Sequence, residues 1–400
     1  MTTMLRRTAL KSLGALPLAL AAASPAAAAA EPRSVVDGIE IFHLKVNRRG
    51  NWVIARLRAE NGLTGLGDSG HADDAETIRY LQQFAALWRG RSVFEIEPFR
   101  QAVAEIVRQG GDSAAVAASA IEQALWDLAG KALGVPVHQL FGGALRKTVP
   151  LYANINRSTD PRTPEGFARM ASAAIRDGFK AIKLAPFDAI RPGETDRATI
   201  ERLTDEGIAC AQAVRDAIGP DNDLLIDVHS RFNLADGLAL AERFEPLNLY
   251  WLEEVTPAEP LDDLVAINRA ARMPTAGGES ITTVSGFYEY VSAGAVDILM
   301  PDIKFCGGLT QLRKIAGIAE GAGLPVSPHG PASPIGNAAA AHVVATLPNF
   351  TILEFAYGEV PWRAELLAPP ERIENGELVL SDRPGFGIEL NERTARQHAV

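Results

Sequence analysis

A series of short apolar segments in the chain end on charged side chains that could do chemistry. Residues 224–226 run into Asp227, and His229 follows two positions later. Residues two apart in a strand project from the same face, so both side chains point into the same space. An Asp at a strand end also commonly caps the next helix, which is the alternative for this pair. The charged residues at the segment ends are Lys183, Asp227, Glu253, Glu279, Asp302, His329 and Glu354.

Three of these side chains, Asp227, Glu253 and Glu279, are carboxylates on successive segments. If they converge, their negative charges repel one another and are costly to remove from water. A hard divalent cation offsets that cost, and carboxylate oxygens with room for water suit Mg²⁺. The sequence therefore predicts a Mg²⁺ site, and the alternative is that each carboxylate caps the helix that follows it.

The elements that must position these side chains alternate regularly along the chain. From residue 149 onward, eight short apolar segments alternate with seven helical patterns. Apolar strands that alternate with helices indicate a parallel sheet covered on both faces. We predict an α/β fold, a modified (β/α) TIM-like barrel, with its chemistry at the carboxyl ends of the strands. A doubly wound open sheet is the alternative, although no GxGxxG follows a first strand as a dinucleotide fold would require.

The domain boundaries follow from changes in this pattern. Residues 31–148 combine predicted hairpin strands with a long Ala-rich helix, which indicates an α+β capping domain. We place the barrel at residues 149–358. Residues 359–400 are expected to return to the capping domain.

Residues 1–30 have a basic start, an apolar middle and an Ala-rich end, which is the anatomy of a signal peptide. Arg6 and Arg7 resemble a twin-arginine signal, and the alternative is an ordinary secretory signal with a chance arginine pair. We expect cleavage near Ala30 and a periplasmic or secreted protein.

The composition excludes several other classes of protein. The net charge is −10 and no basic cluster is large enough to follow a phosphate backbone, which argues against nucleic-acid binding. Beyond the signal segment no apolar stretch is long enough to span a bilayer, so no membrane association of the mature form is expected. Cys210 and Cys306 offer no disulfide framework.

The segments WLEE, GGES, MPDIKFCGGLT and SPHGPASPIG resemble the fourth to seventh strand ends of the enolase superfamily, in its mandelate racemase / muconate lactonizing enzyme branch. The resemblance covers nearly all of the chain after the signal segment. It implies that Asp227, Glu253 and Glu279 bind Mg²⁺. It also implies that His329 and Asp302 form a dyad that acts as general base, and that the protein is a homo-oligomer with a small anionic substrate.

These residues account for removal of a proton α to a carboxylate. Positive charge from Mg²⁺ and Lys183 would stabilise the developing enediolate, and a protonated Glu354 would donate a hydrogen bond to it. His329 suits the base role because imidazole titrates near neutrality. Asp302 would fix the tautomer of His329.

Two departures from the family pattern bear on the reaction. The family often carries Lys-x-Lys on the second strand, but here the run is Lys183-Leu184-Ala185, and Ala185 at the second lysine position argues against racemisation through a lysine. Asp227-x-His229 resembles D-galactonate dehydratase and related acid-sugar dehydratases, in which the histidine protonates a departing hydroxyl. We therefore predict a Mg²⁺-dependent acid-sugar dehydratase that forms a 2-keto-3-deoxy acid.

Two other functions fit the same residues. An epimerase or cycloisomerase of a sugar acid would use His229 and His329 through the same enediolate without losing water. A sugar-acid-binding protein that has lost catalysis is the second alternative, and Ala185 is the only feature that favours it.

Overall fold

The computed structural model describes residues 34–48 and 50–400. The predicted signal peptide, with Arg6, Arg7 and Ala30, lies outside these residues. Among the helices that are described, none combines the length and apolar character needed to cross a bilayer.

The first described domain pairs an antiparallel sheet with two long helices. The sequence predicts the hairpin strands and the Ala-rich helix, whereas the helix Asp74–Trp88 was not predicted. Its strands lie in the order β1-β2-β3. Helix α2 packs so closely on β3 that a Cβ on Gly67 would lie 1.9 Å from the Ala120 carbonyl oxygen. Small residues on both elements therefore permit this contact. The elements are β1 (Val36–Asn47), β2 (Gly50–Ala59), β3 (Thr64–Asp68), α1 (Asp74–Trp88), α2 (Ile96–Leu133, interrupted at Gly111) and α3 (Val137–Leu140).

The second domain confirms the predicted modified TIM-like barrel. Its strands run parallel in sequence order, and β10 (Leu353–Ala356) pairs with β4 (Thr148–Asn154) to close the ring. The seventh strand is reduced to Val326, which bridges Leu299 on one side and Phe350 on the other. The strands between β4 and this bridge are β5 (Ala181–Leu184), β6 (Asp223–Asp227), β7 (Trp251–Glu253), β8 (Thr275–Gly277) and β9 (Ile298–Leu299).

A helix follows each barrel strand except the last, as predicted. Most begin with a side-chain cap: Asn233, for example, accepts a hydrogen bond from the Asp236 amide at the start of α6, 2.9 Å away. These helices are α4 (Pro164–Arg176), α5 (Arg197–Ile218), α6 (Leu234–Phe244), α7 (Leu261–Ala270), α8 (Val284–Ala293), α9 (Leu309–Gly321) and α10 (Pro334–Val344).

The two-residue period of the strands places polar side chains above an apolar layer. One layer fills the barrel interior, and the residues two positions later stand at the carboxyl-end mouth. The interior layer comprises Tyr152, Ala181, Leu225, Trp251, Ala276, Ile298 and Met300. The residues two positions beyond members of this layer include Asn154, Lys183, Asp227, Glu253 and Asp302.

The C-terminal segment contacts both domains. Strand β13 pairs with β4 of the barrel, whereas the amide of Phe386 donates to Asp127 of α2 at 2.7 Å. Beyond α11, the amide of Val400 donates to the His43 carbonyl of β1 at 2.9 Å. The segment therefore ties the capping domain to the barrel. Its elements are β11 (Leu367–Ala368), β12 (Ile373–Glu374), β13 (Glu377–Val379), β14 (Glu389–Leu390) and α11 (Glu392–Gln397).

Candidate active site

The structure brings the predicted carboxylates together at the barrel mouth. Asp227 and Glu253 end the paired strands β6 and β7, where they face each other in register. Glu279 follows β8 after Gly278, whose φ of +107° is a conformation that favours glycine. One ligand atom from each of the three carboxylates lies within 4.8 Å of the others. We refer to Asp227, Glu253 and Glu279 as the carboxylate triad.

The electrostatics of the carboxylate triad fit a bound divalent cation. Burial raises the pKa of Glu253 to about 8, and repulsion from Asp227 and Glu279 adds to the effect, although the charge of Lys183 opposes it. Such buried, mutually repelling carboxylates are stabilised by positive charge. An all-oxygen donor set of this kind matches the preference of Mg²⁺.

Lys183 contacts two members of the carboxylate triad, Asp227 and Glu253, and is fully buried. Its Nζ is 2.7 Å from Glu253 Oε1, 3.2 Å from Glu354 Oε1 and 3.6 Å from Asp227 Oδ2. Burial lowers the pKa of Lys183, but these carboxylates outweigh that effect and raise the pKa well above its usual value. Lys183 therefore remains a cation that balances the surrounding negative charge.

His329 is held by Asp302 at the end of the seventh strand. Its Nδ1 is 2.8 Å from Asp302 Oδ2, and its Nε2 is 3.2 Å from Glu279 Oε2. Lys304 Nζ lies 3.3 Å from the same Asp302 oxygen. Burial lowers the pKa of His329, but the charges of Glu279 and Glu354 prevail and raise it to about 9. The hydrogen bond to Asp302 therefore orients the imidazole through Nδ1, and Nε2 faces the carboxylate triad.

Glu354 differs from the protonated acid that the sequence led us to expect. Its oxygens accept hydrogen bonds from Asn154 Nδ2 at 2.6 Å and the Gly330 amide at 2.9 Å. Burial raises the pKa of Glu354, but the charges of Lys183 and His329 outweigh it and hold the pKa well below the usual range. Glu354 is therefore a carboxylate that accepts hydrogen bonds.

His229 stands beside Asp227, as the two-residue spacing predicts. Its Nε2 is 2.9 Å from Asp227 Oδ2, and its Nδ1 is 2.5 Å from Asp188 Oδ1. Burial lowers the pKa of His229, but the charge of Asp227 and the hydrogen bond to Asp188 prevail and raise it to about 11. Asp227 does not cap helix α6, because Asn233 occupies that position.

Two contacts at the mouth were not predicted from the sequence. Asp188, in the loop after β5, belongs to no motif, and only its place after a barrel strand could have indicated it. Arg157 Nη2 lies 2.7 Å from His71 Nε2. Burial, with the charges of Arg157 and Lys304 adding to it, lowers the pKa of His71 well below its usual value. His71 is therefore a neutral acceptor from the capping domain.

Several known proteins are similar to this chain. Residues 40–142 match the mandelate racemase / muconate lactonizing enzyme N-terminal domain, and residues 166–394 match a family described as enolase C-terminal domain-like. A D-xylonate dehydratase of Haloferax volcanii is 31% identical, with 92% of this chain and 91% of that protein covered. A D-gluconate dehydratase of Thermoproteus tenax is 32% identical, with 86% and 69% covered.

A solved structure has the same architecture. It is the mandelate racemase/muconate lactonizing enzyme-like protein from Rubrobacter xylanophilus DSM 9941, which superposes with a TM-score of 0.84 at 32% identity. The match covers 92% of this chain and 98% of the other. Both the capping domain and the barrel therefore have counterparts in known proteins.

Proposed function

The chain belongs to the enolase superfamily, in its mandelate racemase / muconate lactonizing enzyme branch, and on that basis we propose that it is a Mg²⁺-dependent acid-sugar dehydratase. The observation that carries the proposal is the placement of two imidazoles at opposite ends of the carboxylate triad. His229 contacts Asp227 at one end, and His329 contacts Glu279 at the other. Elimination of water requires one base and one acid, and this arrangement offers both.

The relatives support a sugar acid as the substrate. Those described above are named as dehydratases of D-xylonate and D-gluconate, which are aldonic acids with a hydroxyl on the carbon β to the carboxylate. Such substrates carry both the acidic α proton and the leaving hydroxyl that the site needs. We therefore propose an aldonate-type acid as substrate and a 2-keto-3-deoxy acid as product.

The base in this proposal is His329. Asp302 holds Nδ1–H, so Nε2 is the atom that takes the α proton. Mg²⁺ held by Asp227, Glu253 and Glu279 would supply positive charge that lowers the pKa of the nearby imidazole and stabilises the enediolate carboxylate. Lys183 contributes a second, permanent positive charge in contact with Asp227 and Glu253.

The acid in this proposal is His229. As electrons return from the enediolate, the bond between the β carbon and its hydroxyl breaks, and His229 Nε2 donates the proton that converts the hydroxyl to water. The resulting enol becomes the 2-keto-3-deoxy acid. His329 then releases its proton and His229 regains one, so the net change is loss of one water.

A substrate screen tests this function. We would incubate the protein with Mg²⁺ and a panel of aldonic acids, and detect 2-keto acid as the semicarbazone and α-proton exchange in D₂O. His229→Asn should abolish keto-acid formation while exchange persists, and His329→Asn should abolish both. His43→Asn is a matched control, because His43 contacts Asp74 of the capping domain.

Other outcomes would contradict the proposal in distinct ways. Exchange that depends on His329 without any keto acid would indicate an epimerase or cycloisomerase. The absence of both exchange and keto acid across the panel would contradict enolisation of sugar acids altogether.

A further inference from the structure

A carboxylate outside the carboxylate triad holds the second imidazole of the site. Asp188, in the loop between β5 and α5, places Oδ1 2.5 Å from His229 Nδ1. We propose that Asp188 is a positioning residue, which fixes His229 so that Nε2 delivers the proton to the leaving group. This inference rests on the proposed function, because it concerns the elimination step of that reaction.

The hydrogen bond to Asp188 decides which nitrogen of His229 can reach the substrate. A carboxylate accepts only, so Nδ1 must carry a proton towards Asp188. The other nitrogen, Nε2, lies 2.9 Å from Asp227 Oδ2 and so faces the carboxylate triad. The backbone of His229 and Ser230 has φ values of 51° and 57°, a region that non-glycine residues rarely adopt. This backbone conformation places the imidazole between the carboxylates of Asp188 and Asp227.

Asp188 is itself fixed by Arg162. Arg162 Nη2 donates to Asp188 Oδ2 at 2.9 Å and to the Ala185 carbonyl at 2.6 Å, and Nη1 donates to the Asn156 carbonyl at 2.8 Å. The guanidinium is thus bound to the backbone at the ends of two neighbouring strands. Charge-assisted hydrogen bonds of this kind are stronger than neutral ones and restrict the position of the carboxylate.

The opposite side of the site has the same series of contacts, from a cation to a carboxylate to an imidazole. There Lys304 lies 3.3 Å from Asp302, which in turn is 2.8 Å from His329 Nδ1. On both sides a cation holds a carboxylate, the carboxylate holds Nδ1, and Nε2 faces the carboxylate triad. The two arrangements come from unrelated loops. An orienting carboxylate is established chemistry for an imidazole that transfers protons, which favours the same role for Asp188.

Ala185 fits this inference. Ala185 stands where the family often has a lysine, and its side chain cannot transfer a proton. Its backbone carbonyl accepts a hydrogen bond from Arg162. This side of the site therefore transfers protons through an imidazole that a loop carboxylate positions.

The test separates the elimination step from proton abstraction. Asp188→Asn removes the charge at nearly constant shape, and Asp188→Glu keeps it. Asp205→Asn is the matched control, because Asp205 pairs with Arg243 at 2.7 Å on the exposed surface. Each protein is assayed for keto-acid formation, for α-proton exchange in D₂O, and for fluoride release from a substrate whose β-hydroxyl is replaced by fluorine. Fluoride leaves as an anion once the α proton is removed, so its release requires no acid.

We expect Asp188→Asn to lower kcat for keto-acid formation by roughly ten- to a hundredfold, below the full value of a general acid. KM, α-proton exchange and fluoride release should change by less than about threefold, because none of them requires the general acid. Asp188→Glu should recover part of the lost kcat. Equal losses in all three reactions would show a purely structural role, and unchanged keto-acid formation would show no role; either result overturns the proposal.

A spectroscopic measurement gives an answer that does not depend on turnover. The protein is labelled with ¹⁵N-histidine and studied with Mg²⁺ present, and His229→Asn assigns the signal. We expect a protonated Nδ1 with a downfield, slowly exchanging proton, which shifts upfield and exchanges faster in Asp188→Asn. A wild-type His229 without that proton overturns the inference. A protein that shows the signal but forms no keto acid from any sugar acid contradicts the proposed function alone.

Discussion

Replacing Lys183 with methionine should destabilise the protein in the absence of Mg²⁺. The side chain is fully buried, and its Nζ lies within 3.6 Å of Asp227, Glu253 and Glu354. Methionine has a similar length but carries no charge. The variant therefore removes the cation that lies among these three buried carboxylates, so their mutual repulsion is offset less.

The size of this effect follows from the cost of an unpaired buried charge. Removing one partner of a buried ion pair typically costs about 3–5 kcal/mol in the free energy of unfolding. For a chain of this length, about 1 kcal/mol shifts the melting temperature by roughly 1.3 °C. Lys183→Met should therefore melt about 4–6 °C below the wild type. As the pH falls below about 8 the loss should shrink, because Glu253, whose pKa is about 8 even beside Lys183, takes up a proton that replaces the missing charge.

The assay is thermal unfolding at pH 8 with a chelator and again with Mg²⁺. Mg²⁺ should raise the melting temperature of Lys183→Met more than that of the wild type, because the variant leaves the carboxylate triad more negative. Lys314→Met is the control: Lys314 forms an exposed ion pair with Glu97, so its loss should cost only about 0–1 kcal/mol. A Lys183→Met protein that melts within about 1 °C of the wild type in chelator would refute the charge-balancing role.

Three further predictions concern other parts of the chain. Burial lowers the pKa of His342 to about 3. Below about pH 6.5 this histidine is therefore protonated in the unfolded state but stays neutral in the folded state. The free energy of unfolding should fall by about 2–3 kcal/mol between pH 7 and 4.5. Melting curves of His342→Gln at the two pH values should show a smaller drop, and an equal drop would contradict the assignment. Glu279→Gln should weaken Mg²⁺ binding by roughly tenfold or more in calorimetric titration, because it removes a charged ligand; unchanged affinity would exclude Glu279 as a ligand. Replacing Arg6 and Arg7 with lysine should leave the uncleaved precursor in the cytoplasm if the first thirty residues form a twin-arginine signal, and continued export of the processed protein would indicate an ordinary secretory signal.

The fold and the polar side chains at the barrel mouth could be predicted from the sequence, because both depend on patterns that repeat over a few residues. A strand alternates its side chains every two residues, so the apolar Leu225 and the polar Asp227 had to lie on one face. Trp251 and Glu253 repeat the same relation on the next strand. The barrel that such strand–helix repeats predict is confirmed.

The sequence by itself determined which side chains stand at the ends of the barrel strands, because that depends on residues close together in the chain. Only the tertiary structure decided what each of them contacts. Asp188 meets His229 across a separation of 41 residues, and Asn154 meets Glu354 across 200, with no periodic pattern linking either pair. The charge state of Glu354 likewise depends on Lys183 and His329, which reach it only when the ring closes. Hydrogen bonding and ionisation follow distance in space, and folding sets that distance independently of spacing in the chain.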